Sequence, residues 1–234
     1  MNTDERGKAF KSAASELPVW LVMLITSLFL MSDCLRGMAL EVKGFRVVKP
    51  EVRVLGVDDG VFAPRSKAFA MVVGVVFRGG HWLDGVMHTR VKVDGLDAGR
   101  KIADMILKSP HHKQLRVIML NGVTFAGFNV VDIRKLKEET CLPVIAVTRD
   151  KPDEKKIYEA LKHLPKSKER WEAMQSGGQT YAVQTHSRSA QVYVQISGIS
   201  LEDAAKILWL TSTRSIVPEA LRAAHLIASG VTGA

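Results

Sequence analysis

The chain of 234 residues is poor in cysteine, in acidic charge and in long apolar runs. Its two cysteines, Cys34 and Cys141, are far apart and lack metal-ligand spacing, which excludes a disulfide framework and a zinc site. A reducing, cytoplasmic location is therefore expected. Lys and Arg exceed Asp and Glu by 33 to 24, and the resulting charge of +9 favours a polyanionic partner without being diagnostic of one.

The longest mostly apolar run, residues 17–31, is shorter than the roughly 20 residues that a membrane-spanning helix needs. Acidic residues at positions 4 and 5 fit a signal peptide poorly. No stable membrane association is therefore expected. A packing helix and a weak anchor are alternatives, but we favour a start codon placed too early, with Met38 as the in-frame alternative. Residues 1–41 are thus assigned to an N-terminal extension and residues 42–234 to a single domain.

Beyond residue 41, apolar runs and alternating patterns predict an antiparallel meander of three strands, then a strand, a crossover helix and a fifth strand. The predicted strands cover residues 52–58, 68–77, 82–94, 115–120 and 143–148. A helical crossover makes its two strands parallel. The predicted fold class is therefore α/β, a ribonuclease H-like mixed five-stranded sheet flanked by helices.

Further elements are predicted around and after this sheet, including a helical C-terminus. The predicted helices cover residues 97–108, 130–140, 153–174, 200–211 and 218–229, and two short strands cover 179–184 and 191–196. Residues 121–129 form a glycine-containing loop between the fourth strand and the crossover helix. The sequence therefore predicts one domain whose chemistry lies at strand ends and in this loop.

Two adjacent carboxylates, Asp58 and Asp59, stand where the first strand ends. Asp and Gly are poor strand residues, but one Asp would be enough to end the strand. The second carboxylate therefore indicates a site for a hard metal ion. The alternative is a turn in which Asp59 and Gly60 reverse the chain while Asp58 accepts backbone hydrogen bonds.

Several blocks of sequence, in a fixed order, carry a family resemblance. They read RVLGVDDG at 53–60, FRGG at 77–80, DG at 84–85, QLRVIMLNGVTFAGFNVVD at 114–132, LPVIAVTR at 142–149, VYVQISG at 192–198 and PEALRAAHLIASG at 218–230. Together they resemble the archaeal endonuclease dU family, which is similar to endonuclease V. The resemblance covers nearly everything after Val48 and nothing before it.

The resemblance implies a hydrolase that uses Mg²⁺ or Mn²⁺ to cut phosphodiester bonds in DNA containing deoxyuridine, with a role in DNA repair. DNA, damaged or single-stranded, is then the expected partner. Alternatives are a nuclease for inosine or another modified base in DNA or RNA, and a protein that binds nucleic acid without cutting it. The oligomeric state is open.

The endonuclease V pattern takes one carboxylate from the end of the first strand and another from the end of the fourth. Asp58 matches the first position and is the predicted principal metal ligand. The second position, an Asp-Gly pair in endonuclease V, is Asn121-Gly122 here, and an amide oxygen can bind a metal but brings no charge. Asp59 and Asp84 are candidate compensating carboxylates, although Asp84 also fits a β-bulge.

His225 is a further catalytic candidate, because it lies in an apolar C-terminal helix that should pack near the strand ends. The alternative is a buried structural histidine. Arg149 and Lys151 directly follow the fifth strand and are candidate phosphate contacts.

The loop at 121–129 contains the last group of candidates, Phe125, Phe128 and Asn129. Stacking on a phenylalanine and hydrogen bonds to Asn129 would recognise an unstacked base. Alternatively, the two phenylalanines anchor the loop to the core.

Overall fold

The computed structural model describes residues 45, 47–64, 66, 68–185 and 191–233. The predictions for residues 1–41 lie outside the described residues, and the proposed division into extension and domain stays a prediction. The strands are β1 Arg53–Asp59, β2 Phe69–Arg78, β3 Trp82–Lys92, β4 Val117–Asn121, β5 Thr124–Phe125, β6 Asn129–Val130, β7 Val144–Thr148, β8 Tyr181–Gln184 and β9 Gln191–Ser197. The α-helices are α1 Ala98–Leu107, α2 Ile133–Thr140, α3 Glu154–Leu161, α4 Ser167–Gln175, α5 Leu201–Thr211 and α6 Glu219–Thr232.

Seven of these strands form one mixed sheet in the order β3-β2-β1-β4-β7-β9-β8. The meander β1-β2-β3 is antiparallel and β4 and β7 are parallel, as predicted, and β1 pairs in parallel with β4. The predicted count of five strands is wrong, because β9 pairs antiparallel with β7 and β8 pairs with β9. The two late strands were recognised individually, but short strands carry no signal for which sheet edge they extend.

The central strands are rich in β-branched residues and are covered on both faces, as parallel strands usually are. One core lies between the sheet and helices α1 and α2, and the other between the sheet and helices α5 and α6. Local capping supports these helices: Asp132 accepts hydrogen bonds from two backbone amides of α2, and Ser200 accepts one from the first turn of α5. Both layers of helices that cover the sheet are therefore stabilised by local caps as well as by core packing.

Two segments differ from the prediction in detail. The charged stretch at 153–174 forms two helices, α3 and α4, instead of one. The loop at 121–129 contains a small antiparallel hairpin, β5-β6. In the described ranges, no helix is long and apolar enough to cross a membrane.

Candidate active site

Helix α6 lies directly on strand β1, and glycines in and after the strand permit this approach. A Cβ atom on Gly56 would come within 2.3 Å of the backbone carbonyl carbon of Ala220, and one on Gly60 would collide with the last turn of the helix. Gly56, Asp58 and Gly60 are alternate residues of an extended segment, so all three face the helix. This close packing brings His225 of α6 against Asp58.

Asp58 is buried beneath the helix, with 3% of its side chain exposed. Its Oδ2 lies 2.9 Å from His225 Nδ1, and its Oδ1 accepts a 2.9 Å hydrogen bond from the Asp59 amide. Burial raises the pKa of the Asp58 carboxyl, and hydrogen bonds from the Asn121 side chain and the Asp59 amide oppose that rise, as does His225. The carboxylate is therefore held in place by donors from three elements.

His225 is accessible to solvent, with 60% of its side chain exposed. The alternative of a buried structural histidine is therefore wrong. With Nδ1 as the donor to Asp58, Nε2 remains as an acceptor on the exposed ring. A carboxylate that orients an imidazole in this way prepares it for proton transfer.

Asn121 stands beside Asp58 because β1 and β4 are neighbouring parallel strands. Val57 is opposite Leu120 in the register of the two strands. Asp58 and Asn121, the next residues of the two strands, therefore reach the carboxyl edge side by side. The side chain of Asn121 is hydrogen-bonded to Asp58, and the residue is exposed. The expected adjacency of the first and fourth strand ends is therefore present.

Asp59 points to the opposite face of the sheet from Asp58, since successive strand residues alternate. Its Oδ2 accepts a 2.7 Å hydrogen bond from the amide of Ala126, in the loop at 121–129. Burial raises the pKa of Asp59 to about 6. Asp59 thus anchors the loop, and it borders the Asp58 group without sharing its face.

Asp84 does not join this group. It lies 3.1 Å from Arg53 Nε and 3.6 Å from Arg78 Nε, at the other end of β1. Arg53 begins the strand, and five residues at about 3.3 Å each place it roughly 17 Å from Asp58. Asp84 is also the extra residue where the pairing of β2 and β3 shifts, which agrees with the bulge interpretation. Asp84 is therefore too far from Asp58 to contribute to the same site.

Two of the three candidate base-recognition residues are inaccessible. Phe125 and Asn129 are fully buried, because the hairpin folds back onto the core. Asn129 accepts a hydrogen bond from the Ala98 amide at the start of α1 and donates to the Lys92 carbonyl and to Asp97. The prediction that Phe125 and Asn129 contact a base is therefore wrong, and Phe128 is half-buried.

A buried arginine that the sequence analysis missed supports the same loop. Arg170 of α4 is 2% exposed and donates to the carbonyl oxygens of Pro165, Asp94, Gly95 and Phe128. It lies in a run of charged residues, where a solvated helix face is the ordinary expectation. Arg170 differs from the neighbouring charged residues only in that it faces these carbonyl oxygens. The sequence does not show this position.

The remaining predicted residues lie at the same edge as Asp58. Arg149 and Lys151 are exposed and follow β7, which pairs in parallel with β4. A cavity of about 110 Å³ has Gly122, Thr148 and Tyr193 among its walls, and it lies on the face of the sheet opposite to Asp58. The edge therefore combines a buried carboxylate with exposed cations.

The side chains at this edge suit one hard divalent cation better than two. Among the described residues, no three His, Cys, Asp or Glu side chains are grouped as a metal site. Asp58 and Asn121 supply one carboxylate and one amide oxygen, and His225 stands beside them with its Nδ1 bonded to Asp58. Mg²⁺ binds proteins through as few as one or two carboxylates and keeps much of its water, so this donor set fits a single ion.

Comparison with known proteins identifies the family. The family model described as Endonuclease dU matches residues 50–232. The chain belongs to the endonuclease dU family. It is 51% identical over 195 residues to a UPF0215 protein of Methanothermobacter thermautotrophicus, an alignment that covers 83% of this chain and 94% of the relative. The resemblance recognised in the sequence is confirmed, and the endonuclease dU chain is a nuclease-family hydrolase.

Solved structures share this fold. A protein of unknown function from Archaeoglobus fulgidus is 33% identical, with a TM-score of 0.70 over 77% of this chain and 98% of its own. Endonuclease V of Bacillus subtilis has a TM-score of 0.56 at 11% identity, covering 87% of this chain and 90% of its own. Endonuclease V of Ciona intestinalis, crystallised with inosine-containing DNA, has a TM-score of 0.50 at 15% identity, covering 74% and 82%.

Proposed function

We propose that this endonuclease dU protein is a Mg²⁺- or Mn²⁺-dependent enzyme that cuts DNA containing deoxyuridine, on a ribonuclease H-like sheet, as a step in DNA repair. The observation that carries the proposal is the buried Asp58 carboxylate, beside Asn121 and hydrogen-bonded to His225, at the edge where β1 and β4 end. Asp58 and Asn121 would hold the cation.

Each group has a distinct part in the proposed reaction. The bound cation would activate water and stabilise charge on the leaving oxygen. Asp58 orients the His225 ring through Nδ1, so that Nε2, on the exposed side of the pair, accepts the proton that the attacking water loses. Asp59 keeps the hairpin loop in place, and Arg149 and Lys151 bind phosphates of the DNA.

The choice of uracil as the recognised base rests on the family to which the chain belongs, whose model is described as Endonuclease dU.

The test is cleavage of end-labelled oligonucleotides carrying uracil, hypoxanthine or only normal bases, with Mg²⁺, Mn²⁺ or a chelator. Wild-type protein should cut the uracil strand only when metal is present, and Asp58→Ala should abolish cutting. Asp84→Asn is the matched control, since it also removes one carboxylate but at the far end of β1, and its activity per folded molecule should be unchanged.

Each failure has a specific meaning. Faster cutting at hypoxanthine than at uracil would contradict the substrate assignment while leaving the site intact. Binding of the oligonucleotides without cleavage in either metal would contradict the enzyme proposal and favour a binding protein, in which the amide of Asn121 replaces the needed acid.

A further inference from the structure

None of the described helices covers the side of β3 that faces the same way as α6. Helix α6 packs mainly on β1 and β2. The alternate residues of β3 on this side are all exposed, namely Val86, His88, Arg90 and Lys92. On the opposite side, Val91 is fully buried in the core that includes α1. The strand thus presents a basic outer face next to the active-site helix.

Within the part of the chain that the structure describes, the cations on this face have no acidic partners. No Asp or Glu side chain in the described ranges forms an ion pair with Arg90 or Lys92. The carboxylate of Asp97, which is close in sequence, accepts hydrogen bonds from the Lys92 amide and the Asn129 side chain. Phe69, opposite Lys92 on β2, is 57% exposed. Unpaired cations beside an exposed aromatic ring are the features that bind single-stranded nucleic acid.

The register relates this face to Asp58. Asp58 is opposite Val73 of β2, and Val73 is opposite His88 of β3, so the three residues form one row across the sheet. Because two antiparallel steps make β3 parallel to β1, Arg90 lies two residues beyond this row, toward the carboxyl edge. On the other side of Asp58, Arg149 lies two residues beyond Val147, which pairs with Asn121.

We propose that a single DNA strand crosses the carboxyl edge of the sheet, with Arg90 and Lys92 binding its phosphates on one side of Asp58 and Arg149 and Lys151 on the other. Four strand spacings of about 4.8 Å separate β3 from β7, a span of about 19 Å. That distance corresponds to roughly three to six nucleotides. Phe69 provides a surface on which one base stacks. This inference rests on the proposed function and extends it to the binding path.

The test compares two double variants that remove the same charge. Arg90→Ala/Lys92→Ala removes the proposed contacts, and Lys113→Ala/Arg116→Ala removes two exposed cations just before β4 begins, at the opposite edge of the sheet. Fluorescence anisotropy with a labelled uracil-containing single strand, in chelator and at several salt concentrations, gives the slope of log affinity against log salt. Each lost phosphate contact should lower that slope by about 0.7, so the first variant should lose about 1.4 and bind several-fold more weakly.

The inference is supported if the control variant keeps the wild-type slope and the charge-conserving swap Arg90→Lys/Lys92→Arg restores it. Equal slopes in the two alanine variants would overturn it, as would a wild-type protein that does not bind the strand. Circular dichroism confirms that each variant is folded. Binding is measured in chelator, so it is independent of cleavage. If the slopes are as expected but the protein does not cut when metal is added, only the nuclease proposal is refuted. If the protein cuts but the two alanine variants have equal slopes, only the binding path is refuted.

Discussion

Gly56→Ala is the substitution whose consequence follows most directly from the packing of α6 on β1. The added Cβ atom would lie 2.3 Å from the Ala220 carbonyl carbon and 2.5 Å from the Leu221 nitrogen. Both contacts are with backbone atoms, which cannot rotate away as a side chain can. Ordinary contact begins near 3.4 Å, so the helix must move by about 1 Å.

That movement would affect both stability and activity. Overpacking of this kind costs about 3 kcal/mol, the upper end of the usual range, which lowers the melting temperature by about 10 °C in a chain of this size. A shift of about 1 Å in α6 would also stretch the 2.9 Å contact between Asp58 and His225 beyond hydrogen-bond length. A displacement of that size at reacting groups costs about 100-fold in rate.

The assay is thermal unfolding followed by circular dichroism, together with cleavage rates below the melting transition and the imidazole ¹⁵N spectrum of His225. Gly230→Ala is the matched control on the same helix, because nothing lies within 4 Å of its added Cβ atom. There, alanine should stabilise the helix by about 0.5–1 kcal/mol. A Gly56→Ala protein with wild-type melting temperature, imidazole spectrum and activity would refute the proposed dependence on close helix packing.

Three further predictions concern single side chains. Burial raises the pKa of Asp59 from 3.8 to about 6, so the folded protein must lose this proton at a higher pH than the unfolded chain does. As the pH rises from about 4 to about 6, the free energy of unfolding of the wild type should therefore fall relative to that of Asp59→Asn, by at most about 3 kcal/mol. Urea unfolding in chelator measures this, and parallel pH curves would contradict it. Asn121→Asp should destabilise the metal-free protein by roughly 1 kcal/mol, the solvent-screened repulsion of an exposed carboxylate with Asp58, and lower the Mg²⁺ concentration needed for half-maximal cleavage. An unchanged metal requirement would count against Asn121 as a ligand. Arg170→Met leaves buried carbonyls without donors and should cost at least about 3 kcal/mol, with faster hydrogen exchange at 121–129. Exchange at the wild-type rate would show that Arg170 does not support the loop.

Local sequence patterns predicted most of the fold. Strands β1, β2, β3, β4 and β7 occur in the predicted order along the chain, with the predicted antiparallel meander and parallel β4-β7 pair, because apolar periodicity and connection length act over short distances. The adjacency of Asp58 and Asn121 was implied only by the family resemblance, and the parallel pairing of β1 with β4 places them together. The number of strands in the sheet did not follow, because β8 and β9 are short and carry no signal for their partner.

The composition of the site depended on contacts between distant residues. Phe125 and Asn129 look like loop residues in the sequence, but the β5-β6 hairpin and the start of α1 bury them. Arg170 looks like one of many surface cations, yet it donates to three carbonyl oxygens from distant segments. Long-range hydrogen bonds of this kind leave no periodic trace along the chain.

The family, the order of elements and the position of Asp58 at a strand end could all be read from the sequence, because each depends on residues close together in the chain or on long matching blocks. The exposure of His225 beside Asp58, and the place of Asp84 at the opposite end of β1, could be seen only in the folded chain. Both depend on packing: glycines at 56 and 60 let α6 touch β1, while a bulge and ion pairs with two arginines keep Asp84 at the far end of the strand.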